Sequence, residues 1–139
     1  MQRAMMAIVA FMLAIGGGSV RAADDVVIGA LYPMTGPNAP VGNDAKAAME
    51  TAAEIINGKH DIPMLLGKGG GLERLGGANV RLIFADHQGD PPKARAEAER
   101  PMITQEHVAA LIGSYQSATA ATISQVADRY EVAYVSAER

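Results

Sequence analysis

The chain contains no cysteine. Disulfides, thiolate catalysis and a lipid carried on a cysteine are therefore excluded, and any folded part must stand on its apolar core. A dominant charge is missing too, because 12 Lys and Arg face 15 Asp and Glu, which argues against nucleic acid as the main partner. The apolar run from Ala4 to Ile15 covers about 12 residues, well short of the roughly 20 that a spanning helix needs. His60, His87 and His107 are the only histidines, and no pair of them has zinc-ligand spacing with another strong ligand. All three are expected at the solvated surface. No serine stands beside a histidine oriented by a third group, as nucleophilic catalysis would need.

What is present begins with "MQRAMMAIVAFMLAIGGGSVRAADD". A short basic start at Arg3, an apolar core and the small-residue exit Val20-Arg21-Ala22 make residues 1–22 a secretory signal peptide, with the mature chain starting at Ala23. The remainder, roughly 115 residues, is enough for a small domain.

Beyond Ala23, strand and helix patterns alternate. "DVVIGALY", Asp25 to Tyr32, is a buried strand stopped by Pro33, Gly36, Pro37 and Pro40. From Val41 to Asn57, Ala45, Ala48, Met49, Ala52, Ile55 and Ile56 recur at helical spacing up to the stop at Gly58. Residues 59–78 hold "GKGGGLERLGG", whose glycine density predicts a mobile insertion. Lys68 in that segment is followed by Gly69 rather than Ser or Thr, and the segment leads to a strand, so it is not a phosphate loop. "NVRLIFA", Asn79 to Ala85, is the second strand. Asp90 is placed to cap the next helix with Pro91 in its first turn, and Pro101 predicts a kink or break near Arg100. Val108 to Ile112, Ser117 to Tyr130 and Val132 to Val135 read as strand, helix and strand. The alternation predicts an α/β fold, a parallel sheet with helices on both faces and strand order 2-1-3-4.

Ligands in such a sheet sit beyond the carboxyl ends of the strands, where successive strands move to opposite sides of the first. The loops meeting there are Tyr32 to Gly42 and Gly113 to Ser117, the latter within "GSYQSATAAT". Free amides at the following helix end favour an anion. Ser114 and Ser117 can donate hydroxyl protons to a carboxylate, the amides of Ser117 and Ala118 can hold it, and Tyr115 can offer its ring or phenol. Ser117 acting only as a helix cap is the simpler alternative. Asp86 and Asp90 could bind magnesium or act as acid and base, but capping accounts for Asp90.

The runs "IGALYPMTGPNAPVGNDAKAAMETAAEIING", "VRLIFADHQGDPPKARAEAE", "ALIGSYQSATAATISQVADRY" and "AYVSAER" resemble, in that order, the periplasmic solute-binding proteins of branched-chain amino-acid ABC transporters, the Leu/Ile/Val-binding type. The resemblance implies a type I periplasmic-binding-protein-like fold without enzymatic activity or cofactor. It implies export to the periplasm, a small-molecule ligand such as an amino acid or a related carboxylate or amide, and delivery to a membrane permease. It implies that Val41 forms a wall before Gly42, that Ser117 and its neighbours grip the carboxylate, and that Tyr115 and Gln116 shape the pocket. Ser136 and Ala137 would supply a further wall, although Glu138 and Arg139 depart from the family pattern there. Pro101 and Glu131 also depart, the latter standing where a glycine usually ends the helix. Family chains are longer, so residues 23–139 correspond to part of the first lobe only, and a chain without the second lobe is expected to bind its ligand weakly. Two other classes are a sensory ligand-binding domain of the same fold and an exported α/β hydrolase using Ser117 or the Asp86 and Asp90 pair.

Overall fold

In a computed structural model of the chain, residues 24–136 are described; the expected signal peptide and Ala137 lie outside them. The apolar runs form four parallel strands, β1 (Val26–Tyr32), β2 (Val80–Asp86), β3 (Ala110–Gly113) and β4 (Ala133–Val135). Their order is β2-β1-β3-β4, as the alternation predicts. β1 is the inner strand on which the sheet is built: Ile28 pairs with Leu82 on one side and Ala110 on the other. Its Ala30 and Leu31 are completely buried.

Helix α1 (Ala39–Asn57) packs on β1 and β2, while α2 (Pro91–Glu97) and α3 (Ser117–Arg129) pack on each other. Leu31, Ala94, Ala98, Met102, Leu111, Ile123 and Val126 form the core. Gly29 is required in β1 by close approach, since a Cβ there would stand 2.6 Å from Met102 Sδ and 2.9 Å from Leu111 Cδ2. Asn57, the last residue of α1, ties the helix to β2: its side chain accepts from the Val80 amide at 2.7 Å and donates to the Val80 carbonyl at 2.8 Å.

Three local expectations are corrected. The chain does not break at Pro101; Ala98–Gln105 continues α2 as a π-helix. Proline removes one amide donor, and the wider turns absorb the loss. Glu106 N–H donates to the Pro101 carbonyl five residues back, at 3.1 Å. Nor does the glycine-rich segment lack order. Gly70 and Gly71 donate their amides to the carbonyls of Gly58 and Ile56, Leu72 donates to Ala78 at 2.8 Å, and Glu73–Leu75 makes one 3-10 turn. Finally, α1 starts at Ala39, ahead of the expected Val41, with Pro40 in its first turn.

The departure at Glu131 has a backbone explanation. Val132 N–H donates to the Ala127 carbonyl at 2.9 Å and Glu131 N–H to that of Asp128 at 3.2 Å, the pattern that closes a helix through a left-handed residue. Glu131 occupies that position with φ of 56°. A side chain there costs about 1–2 kcal/mol, part of which glycine forfeits through its freer unfolded chain. Glu131→Gly is therefore expected to raise the unfolding free energy by about 0.5–1 kcal/mol, read as a higher urea midpoint with unchanged slope.

Candidate functional site at the carboxyl ends of β1 and β3

Leu31 of β1 is in register with Gly113 of β3, so the loops leaving the two strands start side by side. Their closeness demands glycine at 113, where a Cβ would fall 2.3 Å from the Leu31 carbonyl oxygen. Tyr134 Oη donates to the Gly113 carbonyl at 2.6 Å, bracing the same point from β4. Val135 pairs with Ile112, and the exposed Ser136 follows at the level of Gly113.

The first loop is held by a carboxylate at the end of β2. Asp86 Oδ1 accepts from the amides of Met34 and Gln88 at 2.8 and 2.9 Å, and Oδ2 accepts from Thr35 Oγ1. Gln88 Nε2 in turn donates to Thr35 Oγ1 at 3.0 Å. Burial would raise the Asp86 pKa, but the bonds from Thr35, Met34 and Gln88 outweigh it and hold the carboxyl down at about 2. Behind the loop, Gly42 packs on Pro33, whose carbonyl oxygen would be 2.1 Å from a Cβ at position 42. That contact fixes the first turn of α1 and leaves Val41 beside the loop, 38% exposed.

The second loop separates its hydroxyls into two roles. Ser114 and Thr119 are fully buried, their hydroxyls share a hydrogen bond, and both donate to the Gln116 carbonyl, at 3.1 and 2.7 Å. Ser114 therefore holds the loop from within. Ser117 is exposed, and it is the first residue of α3 rather than its cap; Gln116 occupies the cap position in extended backbone and makes no capping hydrogen bond. The first amides of α3 thus face outward without a capping side chain, beside the exposed Ser117 hydroxyl. Tyr115 is also exposed, while Gln116 turns back so that its Nε2 would lie 2.6 Å from a Cβ on Gly89.

His87 is completely buried, contrary to the expectation of solvated histidines. Its Nδ1 accepts the Gly89 amide at 2.9 Å, which places the ring proton on Nε2, an atom with no partner. Burial lowers its pKa, and the nearby Asp86 charge only partly offsets this. Asp90 accepts from the Lys93 amide at 3.0 Å and caps α2, as its position in the sequence predicts. Asp86 and Asp90 are thus both engaged with backbone amides, and no group of three metal-ligating side chains occurs among the described residues. Thr35, Gln88 and Thr119 escape sequence reasoning. An Asp two residues before Gln88 at a strand end is the one available signal, since Asp commonly accepts the amide two residues on.

The depressed Asp86 pKa fixes a pH dependence. Its stabilisation is fully present above the unfolded value of 3.8 and is lost as pH falls toward about 2. Asp86→Asn keeps an acceptor for the amides but removes the charge, so it is expected to lose about 1–3 kcal/mol at neutral pH. The gap between wild type and variant should close as pH falls from 4 toward 2, measured by urea denaturation at a series of pH values.

Comparison with known proteins agrees with this geometry. Residues 25–138 match the family model for periplasmic binding proteins. The Leu/Ile/Val-binding protein homolog 7 of Brucella abortus is 34% identical over 121 residues, 87% of this chain and 27% of that protein. A solved branched-chain amino acid transporter substrate-binding protein from Streptococcus pneumoniae, in complex with isoleucine, superposes with a TM-score of 0.66 at 20% identity, covering 81% of this chain and 28% of that one. The solute-binding protein of an ABC transporter from Rhodopseudomonas palustris, in complex with 3,4-dihydroxybenzoic acid, gives a TM-score of 0.65 at 18% identity, covering 82% and 27%. The chain spans about a quarter of the length of the curated relatives it matches. With the family model covering nearly all residues after the first strand begins, the chain belongs to the periplasmic binding protein family, a family of binding proteins and not of enzymes.

Proposed function

We propose that the chain supplies one wall of the ligand site in an extracytoplasmic solute-binding component of an ABC transporter, and that its ligand is a small carboxylate, with branched-chain amino acids first. The observation that carries this reading is the uncapped start of α3 beside the exposed Ser117. A helix start presents free amides and about half a positive charge, which suits one carboxylate. Isoleucine and 3,4-dihydroxybenzoic acid, held by the two solved proteins above, share only that group. The Ser117 hydroxyl and the amides of Ser117 and Ala118 take the carboxylate oxygens. Ser114 keeps the loop in shape, Tyr115 and Gln116 border the ligand, and Val41 closes the side toward α1. Ser136 and Ala137 extend the wall beyond β4. In this reading residues 1–22 direct the chain to the periplasm, and the partner is a membrane permease.

The test is titration of the chain with isoleucine and with benzoate, following backbone amide resonances by NMR. Shifts centred on Ser117 and Ala118 are expected. Ser117→Ala should weaken binding about 5–10-fold, the size of one hydrogen bond to a charged group. Gln116→Asp should stabilise α3 by about 1 kcal/mol by placing its own carboxylate on the free amides, and for that reason abolish the ligand-induced shifts. Shifts elsewhere, or binding indifferent to both substitutions, would sink the proposal.

A further inference from the structure

Residues 59–78 lie at the opposite end of the sheet from α3's free amides, because α1 runs back from the loops to meet the start of β2 at Asn57 and Val80. This segment holds apolar side chains out into solvent: Leu65 is 88% exposed, Met64 57%, Leu75 55% and Leu66 44%. Together with Leu72 they line a groove of about 520 Å³. Backbone geometry enforces the display. A Cβ on Gly69 would fall 1.5 Å from the Gly58 carbonyl oxygen and one on Gly71 would fall 2.4 Å from that of Gly77, so the glycines let the loop close on itself and on the end of α1. The exposed Lys68, Glu73 and Arg74 also line the groove, and none of them forms an ion pair with a described residue.

We propose that this face docks a second copy of the same chain. The surface is self-complementary in shape, since it offers both a groove and a projecting leucine; about a two-fold axis, Leu65 of each copy enters the groove of the other. It is self-complementary in charge as well. Glu73 and Arg74 are neighbours on one 3-10 turn, so an axis passing by the turn sets Glu73 of one copy against Arg74 of the second. A face carrying one sign of charge would repel its own copy; this one does not. Such a pair leaves the α3 start accessible, and it also leaves free the edge strand β4, which lies across the sheet from β2.

Sedimentation velocity of the chain over a concentration series tests this. A reversible dimer is expected, and Leu65→Glu should weaken it by at least about tenfold, the effect of 1.4 kcal/mol. Leu65 is so exposed that the substitution leaves the fold intact, which circular dichroism checks. Glu73→Arg and Arg74→Glu should each weaken association, and the double variant E73R/R74E should restore it, an outcome that nonspecific apolar aggregation does not give. A monomer at every concentration, association indifferent to Leu65→Glu, or a double variant as weak as the single ones would overturn the proposal.

Discussion

The pairing of β1 with β2 on one side and β3 on the other is the constraint from which the remaining architecture follows. A parallel neighbour can be reached only by a crossover, so a strand paired on both sides sends successive crossovers to opposite faces of the sheet. α1 covers one face, and α2 and α3 cover the other. Between their starting points the two outgoing loops part, and a crevice opens over the Leu31 and Gly113 pair. The closeness of strands and helices at that point is obtained by removing side chains. Gly29 admits Met102, Gly113 admits the Leu31 carbonyl, and Gly42 admits that of Pro33.

Within the crevice, hydroxyl groups are divided between structure and surface. Ser114 and Thr119 satisfy the Gln116 carbonyl from inside and are buried in doing so. A buried hydroxyl left unpaired would cost about 1–3 kcal/mol, which is why these two bond to each other as well. Because the loop is held from below, Gln116 can keep its cap position without capping, and α3 begins with its amides unfilled. An isolated helix would gain stability from a cap there. The free amides are thus a local sacrifice in stability, of the kind that accompanies a binding surface.

Much of this was legible in the sequence, for identifiable reasons. Apolar runs bounded by proline and glycine gave the four strands and their order, and Asp90-Pro91 marked the start of α2 because capping is a local interaction. Glu131 was recognisable as a residue standing in a glycine position, and its φ of 56° is that of the left-handed helix end. The misreadings have a common physical origin in tertiary contacts. His87 looks like a surface residue until Gly89 and the end of β1 close over it. Pro101 looks like a helix breaker because the cost is reckoned for an α-helix, whereas Ala98 and Met102 are so well buried that the chain stays helical with wider turns. Ser117 looks like a cap, but its placement one residue inside α3 depends on the extended backbone at Gln116. The glycines of the insertion signal backbone freedom, yet here they permit close approach instead.

The end of β2 shows how one short segment serves both crevice loops. Asp86 and His87 are adjacent, yet they are held in opposite kinds of environment: amides and a hydroxyl keep Asp86 charged, and burial keeps His87 neutral. Asp86 fastens the loop after β1 through Met34 and Thr35. His87, through the Gly89 amide, shapes the turn against which Gln116 rests. Protonation opposes both arrangements, since a protonated Asp86 is a poorer acceptor and a protonated Nδ1 cannot accept at all. Both folded-state pKa values lie below their ordinary ones, so each contribution is intact at neutral pH and declines with acid, that of His87 first, as pH falls below 6.5, and that of Asp86 below 3.8. The two loops that frame the crevice are therefore fixed by neighbouring residues of β2's exit, and neither wall can shift without loosening a turn that the other wall also uses.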